Sequence, residues 1–259
     1  DPWPNSNLMS EITVDPTNSN IVWVSTNFGL FKSIDAGATW DRKLFANLTD
    51  FRLKPGSPNT VYAISDNDFF KSTDGENFIE ITDILTNASG RRVIDVTPAD
   101  PEVVYILTAD LQANDYVYQG FYKSTDSGET FTESPNTVNI MESQQAWFDL
   151  AIAASPTNAD EVYMGCLNIW KSTNGGDAFS RVNRWNVNSP SYTHADIHTL
   201  KFFNNVLYAC TDGGLYTSDN GGASFTDVTE NMAVTQFYRM TIGNNNAQVK
   251  CLHLFDRIN

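Results

Sequence analysis

Lys123-Ser124-Thr125-Asp126-Ser127-Gly128-Glu129-Thr130-Phe131 decides the fold, because four further copies of this segment recur along the chain. The shared frame is Ser, any residue, Asp or Asn, any residue, Gly, any residue, a small residue, and then Trp or Phe. The second copy is one residue shorter than the others. The copies lie roughly 40 to 50 residues apart, which is typical of the four-stranded blades of a β-propeller.

The frame residues are predicted to be structural. Ser and Asp or Asn side chains hydrogen-bond nearby backbone groups and hold a tight turn, Gly permits a positive φ, and the aromatic residue anchors the turn. Asn replaces Asp in two copies, which indicates that the position needs a hydrogen-bond acceptor rather than a charge. The frame residues are Ser33, Asp35, Gly37, Trp40, Ser72, Asp74, Phe78, Ser124, Asp126, Gly128, Phe131, Ser172, Asn174, Gly176, Phe179, Ser218, Asn220, Gly222 and Phe225.

Each copy belongs to a larger unit of alternating apolar and polar residues bounded by Gly, Pro, Asn and Asp, which predicts short strands and turns. A blade would run from inner strand to proline turn, second strand, glycine turn, third strand, motif and outer strand. The sequence therefore predicts an all-β propeller of five four-stranded blades plus an incomplete sixth, in a single domain. It favours part of a larger propeller over a small ring completed by the terminal strands. The predicted blades are 8–49, 50–91, 92–145, 146–195 and 196–235, with a partial blade over 236–259.

Composition restricts the class of partner. The 259 residues carry a net charge of −15, which argues against nucleic acid and anionic membrane surfaces. No stretch approaches the ~20 apolar residues that a membrane-spanning helix needs. These features predict a secreted protein, extracellular or at the cell surface, with the periplasm as the alternative. The three cysteines, an odd number, predict buried thiols rather than a complete disulfide set.

The repeat resembles the Asp-box (BNR) repeat of sialidases, sortilin-type receptors, xyloglucan-active endoglucanases and secreted bacterial propellers. The resemblance runs from about Met9 to Phe237 and implies the propeller fold. It leaves the function open, because this repeat occurs in enzymes, receptors and assembly factors alike.

The segment 192–200 contains two of the three histidines and leads into the inner strand of the fifth blade. If that strand extends back far enough, His194, Asp196 and His198 share one face, because side chains alternate along a strand. Two imidazoles and a carboxylate could bind a divalent metal, and Asp196 could act as an acid or base. The alternative is a hydrogen-bonded polar cluster that fixes the start of the strand. No cofactor is required by this interpretation, and a divalent metal is an option.

Asp212 is a second catalytic candidate. The segment Thr211-Asp212-Gly213-Gly214-Leu215-Tyr216 resembles the segment that carries a catalytic aspartate in xyloglucan-active endoglucanases. The resemblance implies the same role for Asp212, but Asn27 fills this position in the first blade, where it indicates an ordinary turn. A glycosidase also needs a second carboxylate. Phe51-Arg52-Leu53-Lys54-Pro55 resembles a sialidase segment, yet it falls in the ordinary strand and proline turn of the second blade.

Two insertions supply aromatic residues for a ligand surface. Residues 109–119 lengthen a hairpin of the third blade, and residues 181–192 lead into the histidine segment. The candidates for stacking on sugar rings are Trp185, Tyr192, Tyr116 and Tyr118, and loops on a rigid scaffold often carry binding residues. The sequence thus favours a secreted recognition propeller for carbohydrate. The alternatives are a glycoside hydrolase resembling the xyloglucan-active enzymes and a protein-binding scaffold of the sortilin type.

Overall fold

A computed structural model describes residues 8–82, 90–112, 115–230, 232, 239–241 and 250–252. These residues form strands and turns and contain no helix. No described segment therefore has the long apolar helix that crossing a lipid bilayer requires.

Five four-stranded antiparallel sheets follow one another along the chain, and in each the strands lie in sequence order. The first three are β1 Met9–Val14, β2 Val22–Thr26, β3 Gly29–Ser33 and β4 Asp41–Leu44; β5 Leu48–Lys54, β6 Ser57–Ser65, β7 Phe69–Ser72 and β8 Ile79–Glu80; and β9 Gly90–Thr97, β10 Asp100–Gln112, β11 Asp115–Ser124 and β12 Thr132–Glu133. The next two are β13 Ala151–Ala154, β14 Val162–Gly165, β15 Ile169–Ser172 and β16 Ser180–Arg181; and β17 Ile197–Phe203, β18 Val206–Thr211, β19 Gly214–Ser218 and β20 Thr226–Asp227. These sheets confirm the predicted propeller blades.

A two-stranded sheet follows the fifth blade. It pairs β21 Arg239–Thr241 with β22 Lys250–Leu252, which agrees with the incomplete sixth blade predicted over 236–259. Residues 236–238, 242–249 and 253–259 of that prediction lie outside the described part of the chain.

The chain divides into two compact units. The first holds the three blades β1–β12, and the second holds the blades β13–β16 and β17–β20, the β21–β22 pair and the segment Asp115–Tyr118. Each large apolar cluster joins two consecutive blades of one unit. Trp23 and Phe51 bridge the first and second blades, Phe69 and Ile106 the second and third, and Tyr163 and Ile197 the fourth and fifth.

The motif forms the predicted turn, here named the Ser-Asp turn, between the third and outer strand of every blade. In the first copy Ser33 Oγ donates to Asp35 Oδ1 at 2.8 Å, and the amides of Gly37 and Thr39 donate to Ser33 Oγ and Asp35 Oδ1 at 2.8 and 2.7 Å. The serine bonds the Asp or Asn side chain at 2.7 to 3.0 Å in all five copies. Asn174 and Asn220 likewise accept the serine hydroxyl and the amide four residues on, so an amide oxygen fills this acceptor position as a carboxylate does.

The aspartate carboxyl groups of these turns make the folded state less stable at acid pH. Hydrogen bonds from Thr39 and Ser33 lower the pKa of Asp35 to about 2, and bonds from Thr130 and Ser124, opposed by burial, lower that of Asp126 to about 2. A carboxyl with a lowered pKa stabilises the folded state above its unfolded value near 3.9, and that stabilisation is lost as pH falls to about 2.

We therefore expect the melting temperature to fall between about pH 4 and pH 2, and to fall less steeply in the double variant Asp35→Asn/Asp126→Asn. Asn keeps the acceptor, as Asn174 and Asn220 do, so the variant should still fold. Thermal unfolding followed by circular dichroism across this pH range measures both slopes. Equal slopes for the two proteins would contradict the assignment.

Buried or half-buried lysines connect consecutive blades through the Ser-Asp turns. Lys32 Nζ bonds Glu76 Oε1 at 2.7 Å and Gly75 O at 3.4 Å in the next turn, and it lies 5.0 Å from the centre of the Trp23 ring. Lys71 likewise pairs with Glu129 of the third blade. In the second unit, Lys171 Nζ donates to the carbonyl of Gly221 at 3.3 Å. We call these three contacts the lysine clamps, and each runs from one blade to the turn of the following blade.

Arg52 is the centre of a second charged network, on the inner strands of the first unit. It pairs with Asp50 on its own strand β5 and, through Nε at 3.0 Å, with Asp95 on β9. Asp50 also accepts the amides of Phe51 at 2.9 Å and Ile94 at 3.1 Å. Burial lowers the pKa of Arg52, but the carboxylates of Asp50, Glu11 and Asp95 outweigh it and raise that pKa. The arginine of the sialidase-like segment is therefore held within a network that joins the second and third blades.

Cys166 and Cys210 are buried thiols, as the odd number of cysteines predicted. The Sγ atom of Cys166 lies 3.1 Å from Ser143 Oγ. The side chain of Cys251 lies outside the described part of the structure.

Candidate functional site

The candidate site lies in the second unit, at the hairpin tip between β18 and β19. Thr211 shapes this tip, since its Oγ1 donates to Gly214 O at 3.0 Å and accepts the amide of Gly213 at 3.1 Å. Thr26 makes the corresponding bonds in the first blade, where Asn27 follows it. The turn therefore does not depend on the side chain at the position of Asp212, and the Asp212 carboxylate is available for other contacts.

Asp212 binds His198. The Nε2 atom of His198 lies 2.6 Å from Asp212 Oδ1, and the imidazole is almost fully buried, with 2% of its side chain exposed, whereas Asp212 keeps 31%. Pairing between β17 and β18 shifts at this point: Ile197 pairs with Thr211 and Thr199 with Cys210, so His198 is the extra residue of a β-bulge. Bulges redirect side chains in this way.

The expectation that His194, Asp196 and His198 share one strand face was wrong. Strand β17 begins only at Ile197, and Asp196 has a φ of 62°, in the left-handed region that ends the extended conformation. The i, i+2, i+4 alternation therefore does not apply here. The three residues are nevertheless close enough for both histidines to influence the Asp196 carboxyl electrostatically.

Asp196 is held by a residue that sequence reasoning missed. The Nε2 atom of Gln145 donates to Asp196 Oδ1 and also, at 3.1 Å, to Asp149 Oδ2. Burial and the nearby Asp212 raise the pKa of Asp196, while His198, His194 and the Gln145 bond act in the opposite direction. Two carboxyl groups with different environments, Asp196 and Asp212, thus influence each other electrostatically in this site.

His194 covers the glycine of the hairpin tip. Its Nδ1 lies 3.2 Å from the carbonyl oxygen of Ala195, and its ring lies against Gly213. A Cβ atom on Gly213 would be 2.3 Å from His194 Cγ, so only glycine allows this approach.

One exposed aromatic ring, that of Trp147, reaches the cluster through the half-buried Phe148. Trp147 is 57% exposed, and its ring lies 5.2 Å from that of Phe148, which meets the His198 ring edge-on at 4.9 Å. Among the described residues of the second unit, the exposed large apolar side chains all lie in the loops on either side of the fourth blade: Val138, Trp147, Trp185 and Val187. This concentration distinguishes the loops from the rest of the unit.

The loop that carries Trp185 is fixed by a polar network around Glu142. Glu142 Oε2 accepts Asn168 Nδ2 at 2.7 Å and Trp170 Nε1 at 3.1 Å, and its other oxygen pairs with Arg181. The same Asn168 accepts the amide of Trp185 at 3.1 Å. Trp185 itself remains 43% exposed, so the network presents its ring to solvent.

The other predicted stacking residues are placed differently. Tyr192 packs edge-on against Tyr216 in the core between the fourth and fifth blades, with ring centres 6.1 Å apart. Tyr116 and Tyr118 lie on β11 and are half-buried. The amide of Tyr116 donates to Gln144 O at 3.1 Å, which places its strand beside the segment that contains Gln145.

One feature of the sequence could have pointed to the site residues Gln145, Trp147, Phe148 and Asp149. They lie in the stretch between β12 and β13, which has no counterpart between the first and second blades. The predicted boundary between the third and fourth blades at residue 145 divided this stretch, so it was not recognised as one insertion. Across the described ranges, no group of three or more His, Cys, Asp or Glu side chains is arranged to hold a metal ion. The metal site at His194, Asp196 and His198 stays a prediction.

Comparison with models of known protein families gives no match. The chain is 28% identical over 130 residues to a xyloglucanase of Hypocrea jecorina (strain QM6a), a match that covers 48% of this chain and 15% of that protein. It is similar to the crystal structure of an ancestral GH74 enzyme, with a TM-score of 0.68, 16% identity and coverage of 88% of this chain and 32% of that one.

A further similar structure is that of YCF48 bound to D1 peptide, with a TM-score of 0.56, 15% identity and coverage of 88% of this chain and 70% of the other. At these sequence identities, the similarity to the solved structures establishes the fold alone. The protein is a β-propeller similar to those of GH74 glycoside hydrolases, and it spans about a third of the length of the ancestral GH74 chain.

Proposed function

We propose that this protein is a secreted carbohydrate-binding propeller of the Asp-box type, with its binding surface in the second unit. The observation that carries the proposal is the exposed Trp147 beside the cluster of His198, Asp212 and Asp196. A flat apolar ring next to hydrogen-bonding groups matches a sugar ring, which has one apolar face and a rim of hydroxyl groups. Trp185 would extend this surface.

Acidic groups make a neutral polysaccharide the best-matched ligand class. The chain carries a net charge of −15, and the cluster contains Asp196 and Asp212. Carboxylates accept hydrogen bonds from hydroxyl groups but repel uronic acids and sulfate esters. The similarity to a xyloglucanase is in keeping with a neutral glucan.

Glycoside hydrolysis is the second candidate, and it is favoured by the pair Asp196 and Asp212. A general acid must keep its proton near the working pH, and the pKa of Asp196 is raised by burial and by Asp212. Asp212, held by His198, would then act on the attacking water as the base.

A glycan array combined with a reducing-sugar assay tests both candidates. Binding to soluble β-glucans or xyloglucan without release of reducing ends supports recognition, and release that disappears in Asp196→Asn and Asp212→Asn supports hydrolysis. If neither binding nor release is found across plant, algal and host glycans, both carbohydrate functions are wrong. A search for protein ligands would then follow.

The ionised carboxylate of Asp196 should destabilise the folded protein at neutral pH. A carboxyl with a raised pKa destabilises the folded state above that pKa, so stability decreases as pH rises through it. We expect Asp196→Asn to raise the melting temperature at pH 7, and the gain should vanish below about pH 4, where the wild-type carboxyl also binds a proton.

The substitution Asp196→Ala is the matched control. Asn adopts the φ of 62° more readily than Ala does, and Asn can still accept the Gln145 bond, which Ala cannot. We therefore expect Ala to lower the melting temperature. If Asp196→Asn melts at or below the wild-type temperature at pH 7, the charge of Asp196 carries no cost, and equal melting temperatures for the two variants would show that the Gln145 bond and the backbone angle contribute nothing.

A further inference from the structure

Two of the five Ser-Asp turns contain asparagine directly followed by glycine, Asn174-Gly175 and Asn220-Gly221. In such a pair the backbone nitrogen of glycine can attack the side-chain carbonyl carbon of asparagine, because glycine has no Cβ to obstruct the approach. The two turns have the same frame, so they form an internal comparison. They differ in how the attacking nitrogen is held.

Among the described residues the amide of Gly175 has an acceptor, and that of Gly221 has none. Gly175 N donates to Asp160 O at 2.8 Å, as Ala36 N does to Asn20 O and Ser127 N to Glu102 O at the same position of other turns. Within the residues that the structure describes, no acceptor is found for Gly221 N. Gly175 is also buried, whereas Gly221 is partly exposed to water.

The difference follows from the neighbouring turn of each blade. In the first and fourth blades a longer connection after the inner strand supplies the acceptor carbonyl, from Asn20 or Asp160, and in the third blade Glu102 supplies it from the start of β10, where the pairing with β9 is shifted. In the fifth blade only Asn204 and Asn205 separate β17 from β18, and their φ values of 48° and 61° fit the tightest hairpin turn. This short turn supplies no such carbonyl in the described structure.

Lys171 places a positive charge beside the same glycine. Its Nζ bonds Gly221 O at 3.3 Å and lies 2.9 Å from the position that a Cβ of Gly221 would take. A cation there stabilises the negative charge that develops on the attacking nitrogen and on the carbonyl oxygen in the transition state.

We propose that Asn220 is a site of spontaneous deamidation, selected over Asn174 by its free neighbouring amide and by the lysine clamp. The Gly221 nitrogen bonds to Asn220 Cγ and gives up its proton, and the Cγ–Nδ2 bond breaks to release ammonia. Water then opens the cyclic imide at Cγ, which restores the peptide bond and leaves aspartate, or at the main-chain carbonyl, which leaves isoaspartate.

The aspartate product fits the turn. Asp35, Asp74 and Asp126 occupy the same position in the first three blades and make the same hydrogen bonds. Aspartate formed at position 220 would therefore keep the turn and add one negative charge at the edge of the fifth blade. Isoaspartate would lengthen the backbone of the turn and disturb it.

One contact opposes the reaction. Both asparagines accept hydrogen bonds from their own serine and from the amide four residues on, so these restraints are shared. Only Asn220 also donates through Nδ2, to Ser224 Oγ at 2.8 Å. The fourth blade has Ala178 at the position of Ser224, so the variant Ser224→Ala makes the two turns alike and should accelerate deamidation at Asn220.

The test is incubation of the purified, folded protein at mildly alkaline pH in heavy-oxygen water, followed by peptide mass spectrometry. We expect Asn220 to convert at least about fivefold faster than Asn174, the factor that corresponds to one hydrogen bond. Gly221→Ala should suppress the conversion; Ala36 has a φ of 59° at the same position of the first turn, and the Lys171 ammonium, the free end of a long side chain, would have to move aside for the added methyl group. Lys171→Met should slow it.

Incubation in concentrated urea is the control for the role of the fold. Without the turn, the two asparagines should convert at similar rates, since each is followed by glycine. The proposal is wrong if folded protein converts Asn174 as fast as Asn220, if Gly221→Ala leaves the rate unchanged, or if the preference for Asn220 persists in urea.

Discussion

Replacing Arg52 with methionine should lower the free energy of unfolding by about 3 kcal/mol, because it leaves the carboxylates of Asp50 and Asp95 close together and without their shared cation. The value lies at the lower end of the range for buried pairs, since Arg52 keeps 21% of its side chain exposed. Thermal and urea denaturation followed by circular dichroism measure the loss.

Two comparisons make this expectation specific. The triple variant Arg52→Met/Asp50→Asn/Asp95→Asn should recover much of the loss, because its side chains carry no unpaired charge. Arg184 is exposed, and Arg184→Met should change stability by no more than about 0.5 kcal/mol. If the triple variant is as unstable as Arg52→Met, the loss comes from packing and the electrostatic account is wrong.

Replacing Trp147 with alanine should weaken binding of the glycan found on the array about 30-fold, the effect of losing an aromatic residue that contributes about 2 kcal/mol. The fold should be unaffected, since 57% of the side chain is exposed. Isothermal titration calorimetry measures the affinity, and the melting temperature checks the fold.

Phe45→Ala is the matched control for Trp147→Ala. Phe45 is 73% exposed and lies in the first unit, so its removal should leave affinity unchanged. If Phe45→Ala weakens binding as much as Trp147→Ala does, or if Trp147→Ala has no effect, the ligand does not lie over the proposed surface.

The repeat predicted most of the fold because its information is local. Apolar alternation and the Gly and Pro positions gave the strands, and the side chains of the Ser-Asp turn bond atoms no more than four residues away. The clamp of Lys32 could have been predicted in the same way, since its partner Glu76 lies close to one repeat further along the chain.

The candidate site depended on two features that periodicity does not encode. The bulge at His198 and the left-handed Asp196 break the strand alternation that the prediction assumed. The bond from Gln145 to Asp196 joins residues that are 51 positions apart, and one partner lies in an insertion without repeat character. His198 and Asp212 were both named from the sequence, but their pairing required the fold.

Each lysine clamp makes one blade depend on the blade that follows it in the chain. The ammonium group of Lys71 is buried, with 5% of its side chain exposed, whereas its partner Glu129 keeps 58%. Deleting the third blade would therefore leave the buried Lys71 ammonium in the second blade without its carboxylate partner. Deleting the second blade would leave Glu129 as an ordinary hydrated carboxylate. Shortening this protein from its carboxyl-terminal side should thus be more harmful than shortening it from its amino-terminal side, and an engineer who transplants one blade must transplant the turn that follows it.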